Sequence, residues 1–222
     1  MGANYTYSHS IDNAGSIGGT STVVAQNWQD LLAEEGNSSF DQRHKVTGDY
    51  LYELPFGKDK QFLSSGGLAS KIAEGFSVSG TFTFATGTPL TPSYGAAIAD
   101  VARGTAGSLR PNRVSGVAIT SGGQSLNHWF DTGAFVAPPA GGFGNASRNS
   151  IAGPGTISNA MSLSKTMGLG ETRNLEFRAT ANNVFNTVQY AGVDTNLTSP
   201  TAGQVTSAAS MRQFNFQARF RF

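Results

Sequence analysis

The sequence predicts an all-β fold, an antiparallel transmembrane β-barrel segment of about six strands with long external loops. Three observations carry that expectation. Several stretches alternate apolar and polar residues with a period of two, the connections between them alternate in length, and charge is scarce. Asp, Glu, Lys and Arg make up 13% of the 222 residues, against about 25% in an ordinary soluble domain.

The rest of the composition agrees. Hydrophobic residues account for 38% and glycine for 28 positions, a mixture suited to many strands and turns. A net charge of +1 provides no basic surface of the kind that neutralises phosphates, so no nucleic-acid partner is expected. The absence of cysteine excludes disulfides and thiolate metal sites. No run of about 18 apolar residues is present to form a membrane-spanning helix. The opening MGANYTYSHS lacks the basic and apolar regions of a signal peptide, which places the expected export signal upstream.

Side chains alternate across a strand, so each stretch can be sorted into two faces. Tyr5 and Tyr7 oppose Asn4, Thr6 and Ser8. Val46, Tyr50, Tyr52, Leu54 and Phe56 oppose Thr47, Asp49, Leu51 and Glu53. FSVSGTFTF is strictly periodic, with Phe76, Val78, Gly80, Phe82 and Phe84 on one side. A weaker run sets Met161, Leu163 and Met167 against Ser162, Ser164 and Thr166. From Asn174 to Phe185, Leu175, Phe177, Ala179 and Ala181 face away from Glu176, Arg178, Thr180 and Asn182, and the pattern breaks near Val184. The final run sets Phe214, Phe216, Ala218, Phe220 and Phe222 against Gln213, Asn215, Gln217, Arg219 and Arg221. Each strand is expected to be about 9 to 11 residues long, enough to cross a bilayer when tilted.

The predicted connections cover residues 12 to 42, 57 to 73, 88 to 155, 168 to 173 and 186 to 210, alternately long and shorter. Outer-membrane barrels show this alternation, with short turns in the periplasm and long loops outside the cell. A soluble β-sandwich would also alternate along its strands. Unstructured loops beyond about 15 residues are uncommon in compact soluble domains, however, and Phe and Tyr gather near strand ends as an interfacial girdle requires.

The residues predict no enzyme, no catalytic group, no metal and no cofactor. His9, His44 and His128 lack metal-ligand spacing, and neither a nucleophile elbow nor a P-loop occurs. GGFGNASRNSIAGPG does not open a helix after a strand, so it reads as loop geometry. Asp49, Glu53, Glu176, Arg178, Arg219 and Arg221 are candidates for the lumen face, where charge can touch a plug or guide a ligand. The plainer reading of all six is a solvated or ion-paired wall. Trp129 and Phe130, with Phe135 nearby, are candidates for ligand contact in the external loops, or for pinning a long loop in place.

Several segments, in this order, carry a family resemblance. They are RHKVTGDYLYELPFGK, FSVSGTFTFATGTPLTP, RPN at Arg110 to Asn112, HWFDTGAF, GFGNASRNSIAGPG and SLSKTMGLGETRNLEFRATANNVFNT, closed by the last strand. Together they resemble the C-terminal barrel of Oar-like TonB-dependent receptors from about Arg43 onward, with a weak match over residues 12 to 42. The resemblance implies that residues 1 to 222 form the C-terminal part of a plugged barrel of about 22 strands in a Gram-negative outer membrane. It also implies that the plug, the TonB-contacting box and the signal peptide lie outside these residues.

The partners it implies are outer-membrane lipid, the barrel-assembly machinery and TonB, the last through the missing N-terminal region. The assembly machinery would read the terminal aromatic strand, which maps here onto Phe216, Phe220 and Phe222. The implied function is energy-coupled uptake of a nutrient such as a siderophore, cobalamin or an oligosaccharide. A passive or adhesive outer-membrane barrel without TonB coupling stays open as the alternative, and a soluble carbohydrate-binding sandwich is a third reading.

Overall fold

The computed structural model describes residues 1–13, 25–27, 29–95, 109–120, 123–170 and 172–222. Residues 14–24, 28, 96–108, 121–122 and 171, which fall within predicted connections, lie outside the described residues. A six-stranded sheet runs in strict chain order: β1 (Gly2–Tyr7), β2 (His44–Glu53), β3 (Phe76–Ala85), β4 (Thr156–Gly168), β5 (Asn174–Asn182) and β6 (Gln213–Arg221). Every neighbouring pair is antiparallel. This up-and-down meander is the connectivity of an outer-membrane barrel wall. The sheet is open, with β1 and β6 at its edges.

Register turns six alternating sequences into two continuous surfaces. One row of paired residues runs Tyr52, Val78, Leu163, Ala179, Phe216 across five strands. The next runs Tyr50, Gly80, Met161, Ala181, Phe214. On the opposite face the rows read Glu53, Ser77, Ser164, Arg178, Gln217 and Leu51, Ser79, Ser162, Thr180, Asn215. A slip of one residue in any pair would move that strand's apolar set to the polar side, so the match across all pairs strongly fixes the register.

Each face is closed by contacts suited to it. On the polar face the Ser77 and Ser164 hydroxyls lie 2.8 Å apart, as do those of Ser162 and Thr180, forming hydrogen bonds between neighbouring strands. On the apolar face aromatic rings lie over glycines. A Cβ on Gly80 would come within 2.6 Å of the Tyr50 ring, and one on Gly48 within 2.4 Å of Phe82. The bare backbone lets each ring lie flat across the strand beside it, which covers the glycine and keeps the wall thin.

Among the described residues, no second layer packs on the apolar face. Phe216 is 81% exposed, and Tyr52, Phe84, Leu163, Phe177, Phe214 and Phe220 are exposed with it. Among the described residues the buried apolar cluster lies instead in the connections, around Trp129, Phe130, Phe135 and Ile151. A soluble sandwich would bury the sheet's apolar side against another sheet. Here that side is available for lipid.

The strands match their predicted places with small shifts of physical origin. β2 stops at Glu53 rather than reaching Phe56, because Pro55 has no N–H for the ladder. Phe56 instead packs on Phe62 at a centroid distance of 5.7 Å within the turn. β5 stops at Asn182, since Asn183 takes φ +52° and turns the chain away. β4 extends to 13 residues, longer than its weak pattern suggested. The turn after β2 also holds a short helix, α1 (Leu68–Ala73), that the sequence reading did not anticipate.

The wall predicts a sharp contrast between its faces. Phe216→Arg, on the apolar face mid-strand, should destabilise the inserted barrel by about 2 to 4 kcal/mol, whereas Gln217→Arg next to it should be nearly neutral. Heat-modifiability of the membrane-inserted protein and folding titrations in lipid vesicles measure both. Equal effects at the two positions would refute the assignment of faces.

Candidate functional site

The polar face carries the charged residues singled out in the sequence. Asp49 and Glu53 on β2, Glu176 and Arg178 on β5, and Arg219 and Arg221 on β6 all share it. Register sets Glu176 opposite Arg219, while Arg178 donates to Glu176 at 2.8 Å along the same strand. Four of the six therefore gather on adjacent strands toward the short-turn end, giving an ion-paired patch with surplus positive charge. Asp49 and Glu53 stand apart on β2, with β3 and β4 between. Glu53 pairs with Lys60 at 3.4 Å, and Asp49 borders a shallow recess with Ser79, Thr81 and Ser162.

The three long connections leave the other end of the sheet, and their described residues are folded together. Short antiparallel pairs stiffen them: Ile11–Asp12 with Gly36–Asn37, Pro89–Leu90 with Ile151–Ala152, Asn112–Arg113 with Phe135–Val136, and Tyr190–Val193 with Val205–Ala208. Their apolar centre holds both aromatic candidates. Phe130 is 1% exposed and meets Phe135 edge-on at 6.0 Å, while Trp129 meets Tyr190 edge-on at 5.9 Å. The Trp129 indole N–H donates to the Ala152 carbonyl at 2.8 Å, which satisfies its polar atom. In this position both rings pin the loops together and leave little surface for a ligand.

A buried polar network joins the same loops. Arg110 donates to the Glu34 carboxylate at 2.5 Å, to the Ala146 carbonyl at 2.8 Å and to the Ala33 carbonyl at 3.1 Å. Glu34, 1% exposed, also accepts the Gln26 backbone N–H at 3.0 Å. The Gln26 side chain accepts the Arg110 N–H and donates to the Gly144 carbonyl. A buried charge pair must recover its desolvation cost through good geometry and full hydrogen bonding, and this one has both. Arg148 donates to the Glu34 carbonyl at 3.0 Å and reaches Asp12, tying in the first loop. Asn149 links Asn37 and Thr91.

Sequence reasoning missed this network. RPN stood out only through resemblance, GNASRN read as loop geometry, and nothing nearby marks Glu34 as the partner of an arginine 76 positions away.

At the root of the first loop, Asp41 accepts the Ser10 N–H at 2.9 Å and pairs with Arg43 at 2.8 Å. Burial pushes its carboxyl upward, but the Arg43 and Ser10 donors outweigh that and hold it below the ordinary carboxylate range. Asp194 is treated alike in the last loop: burial raises it, while the Ser199 and Thr201 hydroxyls and the Asn196 N–H lower it further. A cleft of about 350 Å³ opens beside the first loop, bordered by His9, Ile11, Glu35, Asn37, Arg148 and Ser150. The three histidines remain separate: His9 bonds Asn37, His44 bonds Tyr5, and His128 sits in a turn with Ser125.

An apolar face without a partner layer, a polar face opposite and folded loops at one end describe a membrane wall. The sequence profile described as "Outer membrane beta barrel domain" matches residues 1–217. The chain belongs to this family. No curated protein and no solved structure matches it. Membership in the outer membrane beta barrel domain family locates the protein in the outer membrane. The apolar face is then the one that meets lipid.

On the lipid face, Phe216 and Phe220 project from edge strand β6, and Phe222 follows, stacked on Phe220 at 6.1 Å.

Two outcomes follow for the loop layer. Arg110→Ala, which strands the Glu34 carboxylate, should cost about 3 to 5 kcal/mol of local stability and open the loops to protease added to whole cells, with the strands still protected. The stabilisation from Asp41 is complete above the ordinary carboxylate pKa of about 3.9 and is lost only as pH falls below it. Limited proteolysis from pH 7 downward should therefore release the first loop only in strong acid, and release near pH 6 would refute the role of Asp41.

Proposed function

We propose that this wall belongs to a plugged, TonB-dependent transporter that takes up a nutrient across the outer membrane, with no catalytic role of its own. The observation that best supports the reading is the pairing of a charged lumen wall with a large, internally packed external loop layer. A passive pore needs only a polar lining. Loops that invest a buried charge network and an aromatic core in staying folded are suited to presenting a defined surface to a ligand. The order of segments shared with Oar-like receptors supports the same reading.

In this proposal the cleft between His9, Glu35 and Arg148 contributes to external substrate contact. The patch around Glu176, Arg178, Arg219 and Arg221 touches the plug or the passing substrate near the periplasmic mouth. The unpaired edges of β1 and β6 meet further strands, because open sheet edges are not tolerated in hydrocarbon. Phe216, Phe220 and Phe222 serve as the terminal signal for the barrel-assembly machinery.

The test is genetic and uses the complete gene in its host. Growth is scored on ferric siderophores, cobalamin and oligosaccharides as sole sources after deleting this gene, TonB, or both. A shared defect that does not deepen in the double deletion is the expected result. Uptake through this barrel that persists without TonB would overturn the proposal and favour a passive barrel.

A further inference from the structure

The lipid face carries one feature that a purely apolar wall would lack. Among the described residues of the six strands, Lys165 is the one Lys, Arg, Asp or Glu whose register places it on that face, between Phe76 on β3 and Phe177 on β5. Its ammonium lies 4.6 Å above the Phe76 ring centre and donates to the Ile72 carbonyl of α1. The side chain thus runs along the wall toward the periplasmic turn, as a lysine must to keep its charge at the interface.

The neighbouring features fit the same level. The contact with Lys165 holds α1 on the outer side of the sheet. Leu68 and Ile72, one helical turn apart on the same side, are 81% and 68% exposed, and Lys71 is exposed beside them. Glu74, the acidic residue at the end of α1, packs against Gly57 instead. Next to Lys165 the wall is hollowed into an open depression of about 510 Å³, bordered by Phe76, Leu163, Phe177 and Phe216, with Ala179 and Ala218 giving it room. An apolar trough ending at a cation toward the short-turn end of the wall is complementary to a lipid with an anionic head.

We infer that this depression binds one glycerophospholipid of the periplasmic leaflet, its acyl chain in the trough between Phe177 and Phe216 and its phosphate held by Lys165 with Lys71. α1 lies beside it as an interfacial foot, Leu68 and Ile72 inserted among the lipids. The site concerns the outer surface of the wall and does not depend on what crosses the lumen.

Native mass spectrometry of the complete protein, purified from outer membranes in mild detergent and delipidated, tests it with two probes. Dioleoyl-phosphatidylglycerol should be retained as one molecule per barrel, and dioleoylglycerol, which has the same chains without the phosphate, should not. Lys165→Gln should lower the retained fraction about fivefold, the factor one lysine contributes at an anionic surface. Lys165→Arg should preserve retention, as should Lys45→Gln on the lumen face. Equal retention of the two lipids, or undiminished retention by Lys165→Gln, would overturn the site. If Lys165→Gln fails to yield a heat-modifiable barrel, the comparison of the two lipids on the unaltered protein decides.

Discussion

The structure depends on one constraint: in hydrocarbon, every backbone N–H and C=O within the wall must be bonded to a neighbouring strand, and every outward side chain must tolerate lipid. The six-stranded meander meets the first demand along its interior strands. In-register alternation meets the second, since rows such as Tyr52, Val78, Leu163, Ala179 and Phe216 stay apolar across five strands. The polar rows follow without further requirement, because a strand that sends every second residue to lipid must send the others to the lumen. Serine and threonine fill much of that side, small enough to pair across strands.

The same constraint explains why the buried core is displaced. A soluble protein places its largest apolar residues inside, between layers. Here phenylalanines and tyrosines of the wall are exposed because the membrane is their interior, and among the described residues the conventional core of Trp129, Phe130, Phe135 and Ile151 forms where the chain leaves the bilayer. Outside, water competes for every polar group, so the loops also need Arg110, Glu34 and Arg148 to be paired and enclosed. Wall and loop layer are stabilised by different solvents, and a substitution harmless in one can be severe in the other.

This difference decides what was legible in the sequence. The wall has a local code: period two located all six strands and sorted Asp49, Glu53, Glu176, Arg178, Arg219 and Arg221 onto the face opposite the apolar rows. Strand ends were less legible where a single residue such as Pro55 or Asn183 overrides the pattern. The loop layer has no period. Its contacts join residues such as Gln26 and Gly144, 118 positions apart, and only the fold brings them together. Hence Trp129 and Phe130 were readable as residues that could pin a loop, but the partners they pack against were not. α1 escaped notice because six residues are too few to establish a helical period.

Edge strand β6 connects these points. Its outward face is mostly aromatic, its inward face is polar and charged, and one of its backbone edges is paired only with β5. In water such a strand combines an apolar patch with an open hydrogen-bonding edge, the two features that drive uncontrolled sheet addition. In the membrane the patch becomes favourable, while the open edge becomes intolerable until a strand closes it. The strand most hazardous in isolation is therefore the one for which insertion and closure are most strongly linked. Arginine and glutamine on its inner side fit this role, because they keep one face compatible with water while the other enters lipid.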